Sequence, residues 1–258
     1  MREWRVILRP EPQKSTGKIV RFLKLCIGLL LVPACAALTM TAWRMALRLS
    51  LAPHAMSSSA LWAFVGGYVL WLVVFACLPK PMRTYVLGHE LTHAIWALMM
   101  GARVSGLSVK KTGGQVRTSK TNWFIALAPY FFPFYAMLFL ILFLIAYALW
   151  DLSAYLWVLF LLIGLGWSFH ITFTLMMLLT VKQPDVQSQG VVFSAVVIYG
   201  MNLLIMTLMM ATLSHAVTFG LLARTVGGDL GTSYGWTLDK LSALWHDAVA
   251  FLRHMRQH

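Results

Sequence analysis

Apolar residues fill five long runs, at about 22–46, 59–79, 123–149, 153–180 and 190–213, separated by short polar stretches. A run of roughly 20 apolar residues is long enough to cross a hydrocarbon core as a helix, so each run predicts a span. A sixth apolar helix is predicted over about 83–101. Pro79-Lys80-Pro81 sets the break before it. Neither proline donates a backbone hydrogen bond, and each pushes its preceding residue out of the helical region.

Two polar stretches have patterns of their own. In 103–120, Val104 to Val109 and Gln115 to Thr118 flank Gly113-Gly114, which predicts a β-hairpin, with a plain basic loop as the alternative. Near the C-terminus, Leu238, Leu241, Trp245, Ala248, Leu252 and Met255 recur at spacings of three and four. This stripe suits an amphipathic helix on a membrane surface or against a partner, as a structural anchor.

Composition agrees with the pattern. Of 258 residues, 60% are hydrophobic and 11% charged, and the mean hydropathy is +0.75. A soluble domain carries about twice that share of charge. The fold class expected is an all-α polytopic membrane protein with about five to six transmembrane helices and a small cytoplasmic β-hairpin. Three regions follow: a basic segment over 1–21, a membrane-embedded domain over 22–213, and an amphipathic segment over 214–258. No cleavable signal is read upstream of the first run, and no internal repeat or low-complexity segment is evident.

The net charge of +13 raises nucleic acid as a partner. In so apolar a chain the positive-inside rule accounts for it better, so no nucleic acid is expected. Arg2, Arg5, Arg9, Lys14, Lys18, Arg21 and Lys24 face only Glu3 and Glu11 in the first 24 residues. This places the N-terminus in the cytoplasm beside anionic lipid headgroups, and the protein in a bacterial inner (plasma) membrane. Cys26, Cys35 and Cys77 lie in apolar runs without CxxC spacing and read as small core residues.

Against this background, "VLGHELTHAIWALMMG" at 86–101 concentrates His89, Glu90 and His93 in one apolar helix. Residues four apart share a helical face about 6 Å apart along the axis, so both imidazoles can reach one ion. Glu90 follows the first histidine and can reach a water on that ion. This is the H-E-x-x-H arrangement: two histidines hold Zn²⁺ and the glutamate is the general base on a zinc-bound water. Ionisable side chains in membrane helices are costly, which argues against mere mutual pairing.

A catalytic zinc takes three protein ligands and keeps one open position. The eight acids are Glu3, Glu11, Glu90, Asp151, Asp185, Asp229, Asp239 and Asp247. No glutamate follows Glu90, which excludes a downstream glutamate ligand. The extended metzincin pattern also fails, with Trp96 and Met99 where its glycine and histidine belong. Asp185, in "VKQPDVQSQG", is the preferred third ligand, with an ordinary loop or helix-cap role as its alternative. His170, in "GWSFHITFT", is the other candidate, as a ligand or as a hydrogen-bonding neighbour of the site. Asp151 lies in a short turn on the far side.

Topology bears on this choice. If 83–101 crosses the membrane fully, the basic stretch 103–120 lies outside, against the charge rule, and Asp185 approaches from the outer side. If the helix dips in and returns, 103–120 and Asp185 are both cytoplasmic. The second arrangement satisfies the charge rule and the metal geometry together.

The chain here resembles the site-2 protease family of intramembrane zinc metalloproteases. The matching features are "HELTH" at 89–93, Gly101 after it, the predicted hairpin, and Asp185 far downstream, over most of the stretch from Ala60 to Leu213. Family members carry an aspartate followed directly by glycine, with an asparagine and a proline upstream. Here Val186 follows Asp185 and Gly190 comes five positions later, as in a more divergent branch. No hydrophilic segment is long enough for a PDZ-like insertion. The resemblance implies cleavage of a peptide bond in a membrane-spanning or membrane-proximal protein substrate. A strand edge near 104–118 would hold that substrate extended, and Pro129 and Pro133 would kink the next helix to admit water or substrate. A non-proteolytic metal-binding membrane scaffold is the alternative. A transporter would show paired repeats, which are not evident.

Overall fold

The computed structural model describes residues 17–51, 58–110, 113–213 and 217–255. The basic stretch 1–16, on which the cytoplasmic N-terminus rests, lies outside the described residues, as do positions 111–112.

The apolar runs become helices because a helix satisfies its backbone amides within its own segment. In chain order the elements are α1 (Lys18–Leu51), α2 (Ser58–Cys77), α3 (Met82–Met99), β1 (Val104–Lys110), β2 (Gly113–Thr118), α4 (Trp123–Leu127), α5 (Phe134–Leu149), α6 (Leu156–Thr180), α7 (Pro184–Gln189), α8 (Val191–Leu213) and α9 (Phe219–Met255). Among the described residues, four segments are long and apolar enough to cross a membrane: Lys18–Leu49, Ser59–Cys77, Ser153–Thr180 and Val191–Ala211. Their outward faces carry exposed Leu29, Leu30, Val73 and Leu175, as suits contact with lipid.

The run at 123–149 is not the single span expected. Trp123–Tyr130 and Phe134–Leu149 meet at 84°, so the spans number four, or five if the bent pair is one. Pro129 and Pro133 remove two helical donors four residues apart, and the chain turns where they do. α3 is not among the segments of spanning length and hydropathy, which brings the expected five to six down to four or five.

Helix directions place the rest. α2 and α6 run parallel, with Phe64 against Gly164 and Phe75 against Phe173. They approach closely because Gly67 sits on the Leu161 carbonyl and Gly164 on that of Phe64, where any side chain would collide. α5 joins α6 through a short turn and runs antiparallel to it. α2 therefore ends, and α5 begins, toward the same end of the bundle. The chain from Met82 to Phe132 leaves and returns at that end. α7 follows the same end of α6, so the H-E-x-x-H helix and Asp185 lie together there.

α1 runs parallel to α8, with Gly28 against Phe193. α9 then returns antiparallel along α1: Leu222 packs with Met45, Asp229 pairs with Arg44 at 2.7 Å, and the Tyr234 hydroxyl donates to the Leu30 carbonyl at 2.8 Å. The C-terminal helix thus begins at Phe219, well before the apolar stripe, and the stripe is its exposed second half.

Two smaller expectations change. Lys110 pairs with Gly113, so Gly113 and Gly114 open β2 as paired strand residues. The cysteines are not core residues: Cys26 and Cys35 are half-buried and Cys77 is exposed. An apolar exterior accepts a cysteine as readily as a core does.

Candidate metal centre

α3 ends where Gly101 adopts φ +72°, a left-handed backbone that glycine takes without strain. Gly101 N–H donates to Leu98 and Ala102 N–H to Ala97, the paired bonds of a Schellman turn that sends the chain into the hairpin. Upstream of that turn, His89 and His93 share one face, their rings 4.9 Å apart and edge to face.

Both imidazoles point at one carboxylate oxygen. His89 Nε2 lies 3.6 Å and His93 Nε2 3.5 Å from Asp185 Oδ2. Among the described residues these three form the group that could hold a metal ion, with ligand atoms all within 4.8 Å of one another. The separations are too long for good N–H···O bonds, which cluster at about 2.9–3.0 Å. Two ligands about 2.1 Å from a tetrahedral ion stand about 3.4 Å apart. The spacing is therefore also compatible with an ion held between the groups.

Each ligand is held from behind. His93 Nδ1 donates to the Ile125 carbonyl at 2.8 Å, which leaves the Nε2 lone pair facing the site. That carbonyl is available because the residue four positions on, whose N–H would bond it in a continuing helix, is Pro129. α4 itself is started by Asn122, whose side chain accepts from Ile125 N–H at 2.9 Å. His89 Nδ1 lies 3.4 Å from the Tyr85 hydroxyl.

Asp185 sits in α7, closed off from α8 by Gly190 at φ +94°. Its Oδ2 also accepts from the Tyr130 hydroxyl at 3.2 Å. Ser188 Oγ donates to its backbone carbonyl at 2.8 Å, and Lys24 of α1 bonds the Gln189 side chain, tying α7 to the first helix. Burial alone would raise the Asp185 carboxyl, but the imidazoles of His89 and His93 outweigh it and hold the group well below the usual carboxylate range.

Glu90 is buried, 7% exposed, and turns toward the hairpin. A Cβ on Gly114 would stand 2.7 Å from Glu90 Oε1 and 2.7 Å from Val86 Cγ1, so only glycine lets β2 lie this close. The Val116 backbone amide is within reach of the Glu90 carboxylate.

His170 is not brought to the ligand group. Asn202 Nδ2 donates to the Tyr130 and Ile198 carbonyls at 2.9 and 2.8 Å, so its Oδ1 faces His170 Nε2 at 3.3 Å as acceptor. His170 therefore carries its proton on Nε2, which is spent on Asn202. Its ring lines a cleft beside His89 together with Tyr85, Thr92 and Phe169. Asp151 accepts from Ser153 N–H in the α5–α6 turn, at the far end of the bundle.

Compared with known proteins, the chain matches no family model, no curated protein and no solved structure.

Sequence reasoning missed Tyr130, Gln183, Asn202 and the Ile125 carbonyl. Asn202 is a polar residue flanked by Met201 and Leu203, a signal that could have found it, whereas Gln183 follows Lys182 in a polar stretch that does not set it apart. Tyr130 stands in "APYFFPFY", where it is indistinguishable from its aromatic neighbours.

Proposed function

We propose that this chain is a membrane-embedded zinc metalloprotease of the site-2 protease type, cleaving a peptide bond in a membrane-spanning or membrane-proximal protein. The observation that carries the reading is the convergence of His89 Nε2 and His93 Nε2 on Asp185 Oδ2, at 3.6 and 3.5 Å, beside the buried Glu90. Two imidazoles and a carboxylate suit zinc, and three protein ligands leave a fourth position for substrate or water.

When bound, zinc supplies Lewis-acid chemistry at a carbonyl and brings the acidity of water toward neutral pH. Glu90 accepts a proton from the attacking water as its oxygen bonds to the carbonyl carbon. It returns that proton to the amide nitrogen as the C–N bond breaks. His93 keeps its Nε2 lone pair on the site through its Nδ1–H bond to the Ile125 carbonyl, and His89 and Asp185 complete the ligand set. With the basic N-terminal stretch on the cytoplasmic side, the returning segment and Asp185 face the cytoplasm of a bacterial inner membrane.

The test is metal content of the detergent-purified protein. Wild type is expected to hold about one zinc per chain, with His89→Ala and Asp185→Ala losing it. Glu90→Gln is expected to keep zinc and to accumulate an uncleaved substrate. No zinc in wild type, under conditions free of chelators, overturns the reading.

The packing of β2 on Glu90 favours a second reading, a membrane scaffold with a structural ion. A structural site needs no base, so a Glu90→Gln variant that holds zinc and behaves like wild type in every other respect would support it.

A further inference from the structure

The geometry points to Tyr130 as the residue that positions Asp185 for metal binding; this rests on the metal-centre reading, not on proteolysis. The Tyr130 side chain is fully buried, and its hydroxyl has two acceptors, Asp185 Oδ2 at 3.2 Å and Gln183 Oε1 at 3.1 Å. Gln183 Nε2 donates to the Met177 and Val181 carbonyls, both at 3.3 Å, which turns Oε1 toward Tyr130. A phenol has one proton for these two acceptors, and the ionised one binds it more strongly.

Asp185 Oδ2 is also the oxygen that faces both imidazoles. The Tyr130 hydroxyl occupies one side of that oxygen and leaves another toward the ligand site. Without it the carboxylate is free to turn and offer both oxygens.

Tyr130 is itself fixed. Its ring stands edge-on to His89 at 5.2 Å and 84°. Its carbonyl accepts from Asn202 Nδ2 at 2.9 Å, and Asn202 in turn accepts from His170. The turn Ala128–Tyr130 thus braces the site twice: Pro129 frees the Ile125 carbonyl for His93, and Tyr130 holds Asp185. Packing alone would need the ring but no hydroxyl aimed at a carboxylate.

The experiment uses the full-length protein in detergent, titrated with Zn²⁺ against a competing chelator and with Co²⁺ followed by visible absorption. Tyr130→Phe removes one oxygen and keeps the ring. It is expected to weaken zinc about 10- to 100-fold, as loss of such a supporting contact does. At saturating Co²⁺ its visible bands are expected to lose intensity, as Asp185 turns bidentate and the ion leaves tetrahedral geometry. Phe131→Leu, in the same buried cluster, serves as the packing control: it lowers thermal stability and leaves the saturated Co²⁺ spectrum unchanged. A Tyr130→Phe protein with wild-type affinity and spectrum overturns the inference alone. A wild type that binds neither ion overturns the metal-centre reading and this inference with it.

Discussion

His93 Nδ1 donates to the Ile125 carbonyl across 2.8 Å, and that carbonyl is unclaimed by its own helix because residue 129 is proline. The proline that bends the chain is therefore also what orients a histidine of the candidate metal site. Pro129→Ala supplies the missing N–H, which competes with His93 for Ile125. Zinc affinity is expected to fall about tenfold, with the chain still folded. Unchanged affinity in a chelator competition would break the link between bend and ligand.

Gly114 and Glu90 stand in the same kind of relation. Gly114→Val forces β2 away from α3, since its Cβ would meet both Glu90 and Val86. Zinc content is expected to stay near wild type, because no ligand is touched. Protease nicking within 104–118 is expected to quicken several-fold, and Glu90-dependent hydrolysis to drop by about tenfold or more. Nicking at the wild-type rate would mean the strand tolerates a side chain there.

Acid is expected to strip the metal through the imidazoles. Ligands must be deprotonated to bind, so affinity is present at high pH and lost as pH falls. Asp185 is held below the ordinary carboxylate range and stays ionised in mild acid. Burial alone would lower the His93 imidazole, but the Asp185 carboxylate outweighs it and raises the group. The loss therefore sets in as pH falls from neutral and steepens toward two protons per zinc released. Zinc titrations from neutral to about pH 5 measure that slope; a third proton in the same window would mean Asp185 is protonated as well.

Asp229 is 1% exposed and is held by Arg44 at 2.7 Å and by Thr41 Oγ1 at 2.8 Å, joining α9 to α1. Arg44→Ala leaves a buried carboxylate with one neutral partner, at an expected loss of about 3 kcal/mol in unfolding measured in detergent. Arg44→Met combined with Asp229→Leu is expected to recover most of it, because no uncompensated charge remains. Equal losses in the single and double variants would show that the pair adds stability beyond the burial of its atoms.

Local periodicity made much of this legible in the sequence. Runs of apolar residues become helices because hydrogen bonding in a helix closes within four residues, and His89 and His93 share a face for the same reason. The hairpin followed from β-compatible residues around paired glycines, although the glycines proved to open a strand. What the sequence could do with Asp185 was narrow the choice among few acids. Its distance to His93 spans 92 positions, and only the return of the Met82–Phe132 segment to the end of the bundle that holds α7 brings them together. The 84° bend, the freed Ile125 carbonyl, the Tyr130 hydroxyl on Asp185 and the fit of Gly114 to Glu90 were likewise decided by tertiary packing. Periodicity is a property of neighbours along the chain, whereas a ligand's supporting contacts depend on which distant segment arrives beside it.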